Sequence, residues 1–131
     1  MIADTSAWIE MLRASGSAAD MRLKQALLKR QRLLMPDVVY QELLQGVPSP
    51  QKFMALQAQL DAVPAFLPAD ARETARQAAM LYARCRWQGI TIRSPNDCLI
   101  AACAIEAGEP LLHADRDFER IAAIEPRLRL A

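Results

Sequence analysis

Five short apolar stretches, at residues 1–3, 33–35, 63–67, 111–113 and 128–130, are separated by segments whose apolar residues recur at helical spacing. Short apolar strands alternating with helices predict an α/β fold with a mostly parallel sheet covered on both faces. The helices carry local start and stop signals. Asp4-Thr5-Ser6 precedes Ala7, Trp8, Ile9, Met11 and Leu12, and Ser15-Gly16-Ser17 breaks the chain before Leu23, Ala26, Leu27 and Arg30 recur on one face. Pro36-Asp37 opens a third helix with Gly46 as its C-terminal cap, followed by a loop over 47–50. Further helices are expected over 51–62, over 69–87 with Gly89 as a stop, over 95–107 with Gly108 as a stop, and over 117–123. Residues 90–92 are too few to assign.

The chain has 131 residues, the size of one ordinary domain, and is read as a single domain over 1–131. Apolar residues make up 53% and charged residues 24%, without a repeated or biased segment, which excludes disordered and solenoid architectures. The longest apolar run, 98–105, falls well short of the roughly 20 residues a membrane span needs. No signal peptide precedes Asp4, so a cytoplasmic location without membrane contact is expected. Cys85, Cys98 and Cys103 lack a CxxC spacing, and two of them lie in an apolar helix. They read as reduced core residues, not as a zinc site shared with the single histidine, His113.

Acidic residues stand where strands end or helices begin. In parallel sheets ligands bind beyond the carboxyl ends of the strands, so such acids are positioned to converge. Asp4 follows the first strand; as an ordinary N-cap it would add roughly 1 kcal/mol, but Thr5 or Ser6 could cap instead and leave it free. Glu42 falls between Val38 and Val39 on a wheel of about 100° per residue, on the apolar stripe of its helix, where a carboxylate needs a partner cation or a route to water. Ser94-Pro95-Asn96-Asp97 fits a capping box, and the same first-turn position also suits an anion facing a ligand. Asp115-Arg116-Asp117 offers two acids for one helix start, so one can cap while the other coordinates. His113 reads as a hydrogen-bonded structural histidine more readily than as a general base. Several carboxylates in one pocket raise each other's pKa and cannot all ionise without a cation among them, which marks a hard-metal site.

Taken together, Asp4-Thr5-Ser6-Ala7-Trp8-Ile9, Val38-Val39-Tyr40-Gln41-Glu42-Leu43, Asn96-Asp97-Cys98-Leu99-Ile100-Ala101-Ala102 and Leu112-His113-Ala114-Asp115-Arg116-Asp117-Phe118 resemble the ordered motifs of PIN-domain ribonucleases. The nearest likeness is to VapC-type toxins of bacterial toxin–antitoxin pairs, and it covers essentially the whole chain. It implies a PIN-like α/β/α sandwich, with Asp4, Glu42, Asp97 and Asp115 as catalytic and metal-binding acids and Asp117 as an accessory acid. Thr5 or Ser6 matches the hydroxyl position that orients water or a carboxylate. Two departures stand out: the first strand is abbreviated, and His113 occupies a position where threonine is frequent. The resemblance further implies RNA as substrate, cleavage to a 5′-phosphate and a 3′-hydroxyl, a homodimer, and a VapB-type antitoxin that covers an apolar groove and obstructs the acidic pocket. Trp8, Ile9, Met11 and Leu12 are candidates for that groove, with core packing as the alternative.

An all-oxygen ligand set selects Mg²⁺, with Mn²⁺ as an alternative. The net charge of +1 does not by itself announce a nucleic-acid binder. With four of the 15 acids neutralised by metal, 11 face 16 basic residues, and a polyanionic partner becomes plausible. Arg13, Arg84, Arg86, Arg93 and Arg116 are candidates for phosphate contacts. A phospho-aspartate enzyme is disfavoured, because it needs a late lysine and the lysines stop at Lys52. The non-enzymatic alternative is an α/β protein-binding module whose acids only cap helices.

Overall fold

A computed structural model describes residues 1–131. The strands are shorter than the apolar stretches that contain them: β1 (Ile2–Ala3), β2 (Met35–Pro36), β3 (Ala65–Phe66) and β4 (Leu111–Leu112). β1 pairs with β4 and β2 with β3, all parallel. Single parallel bridges, Ile2 with Leu34 and Leu111 with Leu130, join these pairs and add a fifth chain segment at the edge. The order across the sheet is therefore Leu130, β4, β1, β2, β3. Backbone hydrogen bonds from Ile2 to Pro110, Asp4 to Leu112, Leu34 to Met1 and Met35 to Pro64, at 2.8–3.0 Å, hold the seams.

Seven helices fill the connections. α1 (Thr5–Leu12) and α2 (Ala18–Leu28) link β1 to β2, α3 (Asp37–Gln45) and α4 (Pro50–Asp61) link β2 to β3, α5 (Ala71–Trp87) and α6 (Pro95–Ala107) link β3 to β4, and α7 (Asp117–Ile124) follows β4. Contacts group them into two sets. α1 packs on α2 and α3, with α3 on α4, while α5, α6 and α7 pack on one another, and α3 touches α6 where the two sets meet. The expected α/β/α layering is present. The chain leaving β1 moves towards β2, whereas the chain leaving β4 moves the other way, to Leu130. The boundary between β1 and β4 is thus the topological switch point where parallel sheets open a crevice.

α6 is buried nearly all round: Cys98, Ile100, Ala101, Ala102, Cys103 and Ala104 belong to the core, and Gly108 ends it in the left-handed region at φ 65°. Only glycine takes that conformation without a steric cost. Two expected boundaries move, and one unassigned stretch is settled. α2 stops at Leu28, leaving Arg30 outside at φ 50°, a left-handed turn without the glycine that would have signalled it. α5 begins at Ala71 because the Asp70 side chain accepts from the Arg72 and Glu73 amides. Residues 90–92 form no strand, although Ile92 is buried. All three cysteines are free and buried, and burial pushes the Cys98 and Cys103 thiols up to about 12, so they remain protonated core groups. No helix is long and apolar enough to cross a membrane.

Ile100 is fully enclosed at 0% exposure. Ile100→Ala is expected to lower the free energy of unfolding by about 2–5 kcal/mol. Urea melts should show this as a lower midpoint with an unchanged slope.

Candidate active site

Asp4 leaves β1 at its carboxyl end and caps α1, its Oδ2 accepting from the Ser6 amide at 2.9 Å and from the Ser6 hydroxyl. Capping therefore falls to Asp4, not to Thr5 or Ser6 as one reading allowed. It occupies only one carboxylate oxygen. Asp4 Oδ1 is buried without a hydrogen-bond partner, on a side chain that lines the crevice. Both hydroxyls do other work. Thr5 Oγ1 donates to Glu42 Oε1 at 2.8 Å, and Ser6 Oγ accepts from the Ala114 amide at 2.9 Å, tying the turn after β1 to the turn after β4 across the switch point.

Glu42, on α3, is half-buried and not enclosed in the core: its carboxylate reaches the cleft edge and is oriented by Thr5. Asp97 sits in the first turn of α6. The capping box that competed for it does not form, since Ser94 makes no side-chain cap hydrogen bond. Its carboxylate is left facing the other acids. Burial first, then the charges of Asp4, Asp115, Asp117 and Glu42, push the Asp97 carboxyl up to about 7. Asp4 is also raised by burial, against the Ser6 bonds that favour its anion, with Glu42 adding repulsion.

The two acids after β4 divide their roles. Asp115 caps the turn, its Oδ1 accepting from the Asp117 amide at 3.0 Å, and it lines the cleft. Asp117 is the more enclosed, at 1% exposure. Its Oδ2 accepts from the Arg93 amide and Nε, each at 3.2 Å, and its Oδ1 lies 3.4 Å from Arg120 Nη1. Burial pushes the Asp117 carboxyl up, but the Arg93 bonds and the two guanidinium charges outweigh it and hold the group below its usual value. His113 is structural: its Nδ1 accepts from the Asp115 amide at 3.2 Å, and its ring lies 5.4 Å from that of Phe118.

Asp4, Thr5, Ser6, Ile9, Glu42, Arg93, Ser94, Asp97 and Asp115 therefore line one open cleft of about 270 Å³. Carboxylate oxygens of Asp97, Asp115 and Asp117 lie within 4.8 Å of one another. Within this trio Asp115 and Asp117 have Arg93, whereas Asp97, like Asp4, has no cation. A hollow of the same volume between α5 and α6 is also edged by acids. There Glu106 accepts from Thr74 and the Ala69 amide, Asp70 caps α5 and Glu73 pairs with Arg76, so each carboxylate has a partner. Of the two hollows, only the cleft at the switch point holds buried acids without a cation.

The chain matches the PIN domain family model over residues 1–124. It belongs to the PIN-domain family. It is 38% identical over 125 residues to VapC ribonuclease Mb1587 of Mycobacterium bovis and to ribonuclease VapC11 of Mycobacterium tuberculosis, covering 95% of this chain and 92% of each relative. Two solved structures share the fold. VapBC2 from Rickettsia felis, bound to a DNA fragment from its promoter, superposes with a TM-score of 0.70 at 23% identity, covering 99% of this chain and 96% of that one. FitAcB from Neisseria gonorrhoeae gives 0.67 at 18% identity, covering 98% and 94%.

Other expectations separate. Trp8 is a core residue at 3% exposure and takes no part in a surface groove, whereas Ile9 lines the cleft and Leu12 is exposed at 44%. Arg84 is committed to Glu125 and the Ile124 carbonyl at 2.7 and 2.8 Å, which removes it from the phosphate-contact candidates. Arg93 carries a role the sequence did not disclose, as the cation between Asp115 and Asp117. Its adjacency to Ser94 and Asp97 was the available signal.

The raised Asp97 value sets a direction for pH dependence. Its folded value of about 7 lies above the unfolded 3.8, so the folded state holds the proton over that window and stability falls as pH rises through it. In chelator-treated protein, Asp97→Asn should flatten the decline in melting temperature across this range and melt higher than the wild type above it. Parallel wild-type and variant curves would contradict the assignment.

Proposed function

We propose that this chain is a VapC-type endoribonuclease, the toxin of a toxin–antitoxin pair, hydrolysing RNA phosphodiester bonds with Mg²⁺ or Mn²⁺. The observation that carries the reading is the orphaned Asp4 Oδ1, buried in a cleft of carboxylates. A buried anionic oxygen without a donor is costly, and a divalent cation relieves it together with the repulsion on Asp97. The donor set fits such an ion: every candidate atom is a hard oxygen, and Mg²⁺ binds through one or two carboxylates while keeping several waters.

Asp4 and Asp97 would hold the ion, with Glu42 reaching it directly or through water, Asp115 held beside it by Arg93, and Asp117 supporting the turn from behind. A bound divalent ion supplies a water of lowered pKa and charge stabilisation at the scissile phosphate. The chain's residues supply the rest. Thr5 fixes the rotamer of Glu42, and Ser6 holds Asp4 Oδ2 so that Oδ1 stays turned to the cleft. Glu42, half-exposed at the rim, is placed to accept a proton from an incoming nucleophile. The openness of the cleft suits a polymeric substrate, and Arg93 at its wall is available to phosphate oxygens.

The relatives named VapC and the VapBC2 and FitAcB complexes support a VapB-type antitoxin and action in the cell interior. A homodimer is part of the same proposal. A module whose acids merely cap helices fits less well, since Asp97 caps nothing and half of the Asp4 carboxylate is unused.

Mn²⁺ should raise the melting temperature of the wild type, because an ion that binds only the folded state stabilises it. Asp4→Asn and Asp97→Asn should each lose that shift, and cleavage of a structured RNA should fall by about 100-fold or more. A wild-type protein that neither shifts with Mn²⁺ nor cuts RNA would defeat the reading. Co-expression with the neighbouring antitoxin should relieve growth arrest caused by the wild type.

A further inference from the structure

The chain's own cations serve the acids of the cleft unequally. Arg93 lies in the link between α5 and α6 and reaches across to the turn after β4. Its Nη2 is 2.8 Å from Asp115 Oδ1, its Nε 3.2 Å from Asp117 Oδ2, and its backbone amide donates to the same Asp117 oxygen. Two bonds to two carboxylates hold the guanidinium, and the backbone amide anchors the residue behind it, although the side chain is 68% exposed. On the opposite side, Asp4 and Glu42 accept only from Ser6 and Thr5, and Asp97 faces them without a cation. The cleft is divided into a compensated half and an uncompensated half.

Asp97 belongs to both. Its carboxylate lies within 4.8 Å of those of Asp115 and Asp117, a spacing that would let the three share an ion if no guanidinium stood on two of them. Paired divalent ions in nucleases stand roughly 3.5–4 Å apart, bridged by a shared carboxylate. A guanidinium hydrogen-bonded to Asp115 beside an ion on Asp97 fills the second position with both bulk and positive charge. Its remaining N–H donors are open to solvent in the cleft, in a planar array suited to a phosphate.

We propose that Arg93 stands in for a second metal ion, so that the cleft loads one divalent cation, among Asp4, Glu42 and Asp97, and reserves Asp115 and Asp117 for the guanidinium. This rests on the metal-dependent reading above. Arg93 then supplies permanently, as part of the chain, the charge that a second ion would bring from solution. Its exchange for a neutral side chain frees Asp115 next to an occupied site and leaves Asp117 only the backbone amide at position 93 and Arg120.

Calorimetric titration of the full chain with Mn²⁺, together with electron paramagnetic resonance of the loaded protein, tests this without reference to catalysis. The wild type should take one Mn²⁺ per chain and give a mononuclear spectrum. Arg93→Gln should take two, the second at least 10-fold weaker, with the spin coupling of a dinuclear pair, while Arg93→Lys should remain at one. Two ions per wild-type chain overturn the proposal whatever the variants do. A folded Arg93→Gln that still binds only one overturns it equally. A wild type that binds none defeats the metal-dependent reading itself, an outcome distinct from either.

Discussion

The crowding of carboxylates at the carboxyl ends of β1 and β4 is the constraint around which the rest is arranged. A parallel sheet whose chain reverses its direction of travel between these strands opens a crevice there and delivers the turns that follow them to its walls. Asp4 comes from one turn, Asp115 and Asp117 from the other, and Asp97 and Glu42 from helices packed alongside. In water such a group would separate. Here the backbone fixes the acids in place, and the unfavourable energy appears as the upward shift at Asp97 and the unpartnered oxygen at Asp4.

All of these acids but Asp97 are anchored by a neighbour with a second task. Ser6 serves Asp4 and, through the Ala114 amide, fastens the two halves of the switch point together. Thr5 serves Glu42 from the first turn of α1. Asp115 and Asp117 organise the start of α7 and share Arg93. The anchors occupy some lone pairs and leave others directed at the cleft, which is the difference between a set of helix caps and a site that can take a cation.

The site also shows how little a count of acids says about a metal centre. By spacing alone, Asp97, Asp115 and Asp117 are the natural trio. By charge, Asp4, Glu42 and Asp97 are the ones in deficit, since Arg93 and Arg120 have already neutralised Asp117 and Arg93 touches Asp115. Compensation outweighs proximity where the uncompensated charges of Asp4 and Asp97 are buried and screening is weak.

Much of this was legible in the residues themselves, and the limits are specific. Alternating apolar strands and helices dictated the parallel α/β class, Gly108 marked the end of α6, and Asp4, Glu42, Asp97 and Asp115 stood at positions that a parallel sheet brings to one edge. Local chemistry writes such features, so local sequence reveals them. It could not reveal that Ser94 would decline to cap, that Asp115 would cap the turn while Asp117 went under two arginines, or that Trp8 would face the core. Those outcomes depend on which distant group arrives first at hydrogen-bonding distance. Arg93 is the clearest case: its partners lie 22 and 24 residues away, beyond α6 and β4, and the packing of α6 against α7 brings them within reach.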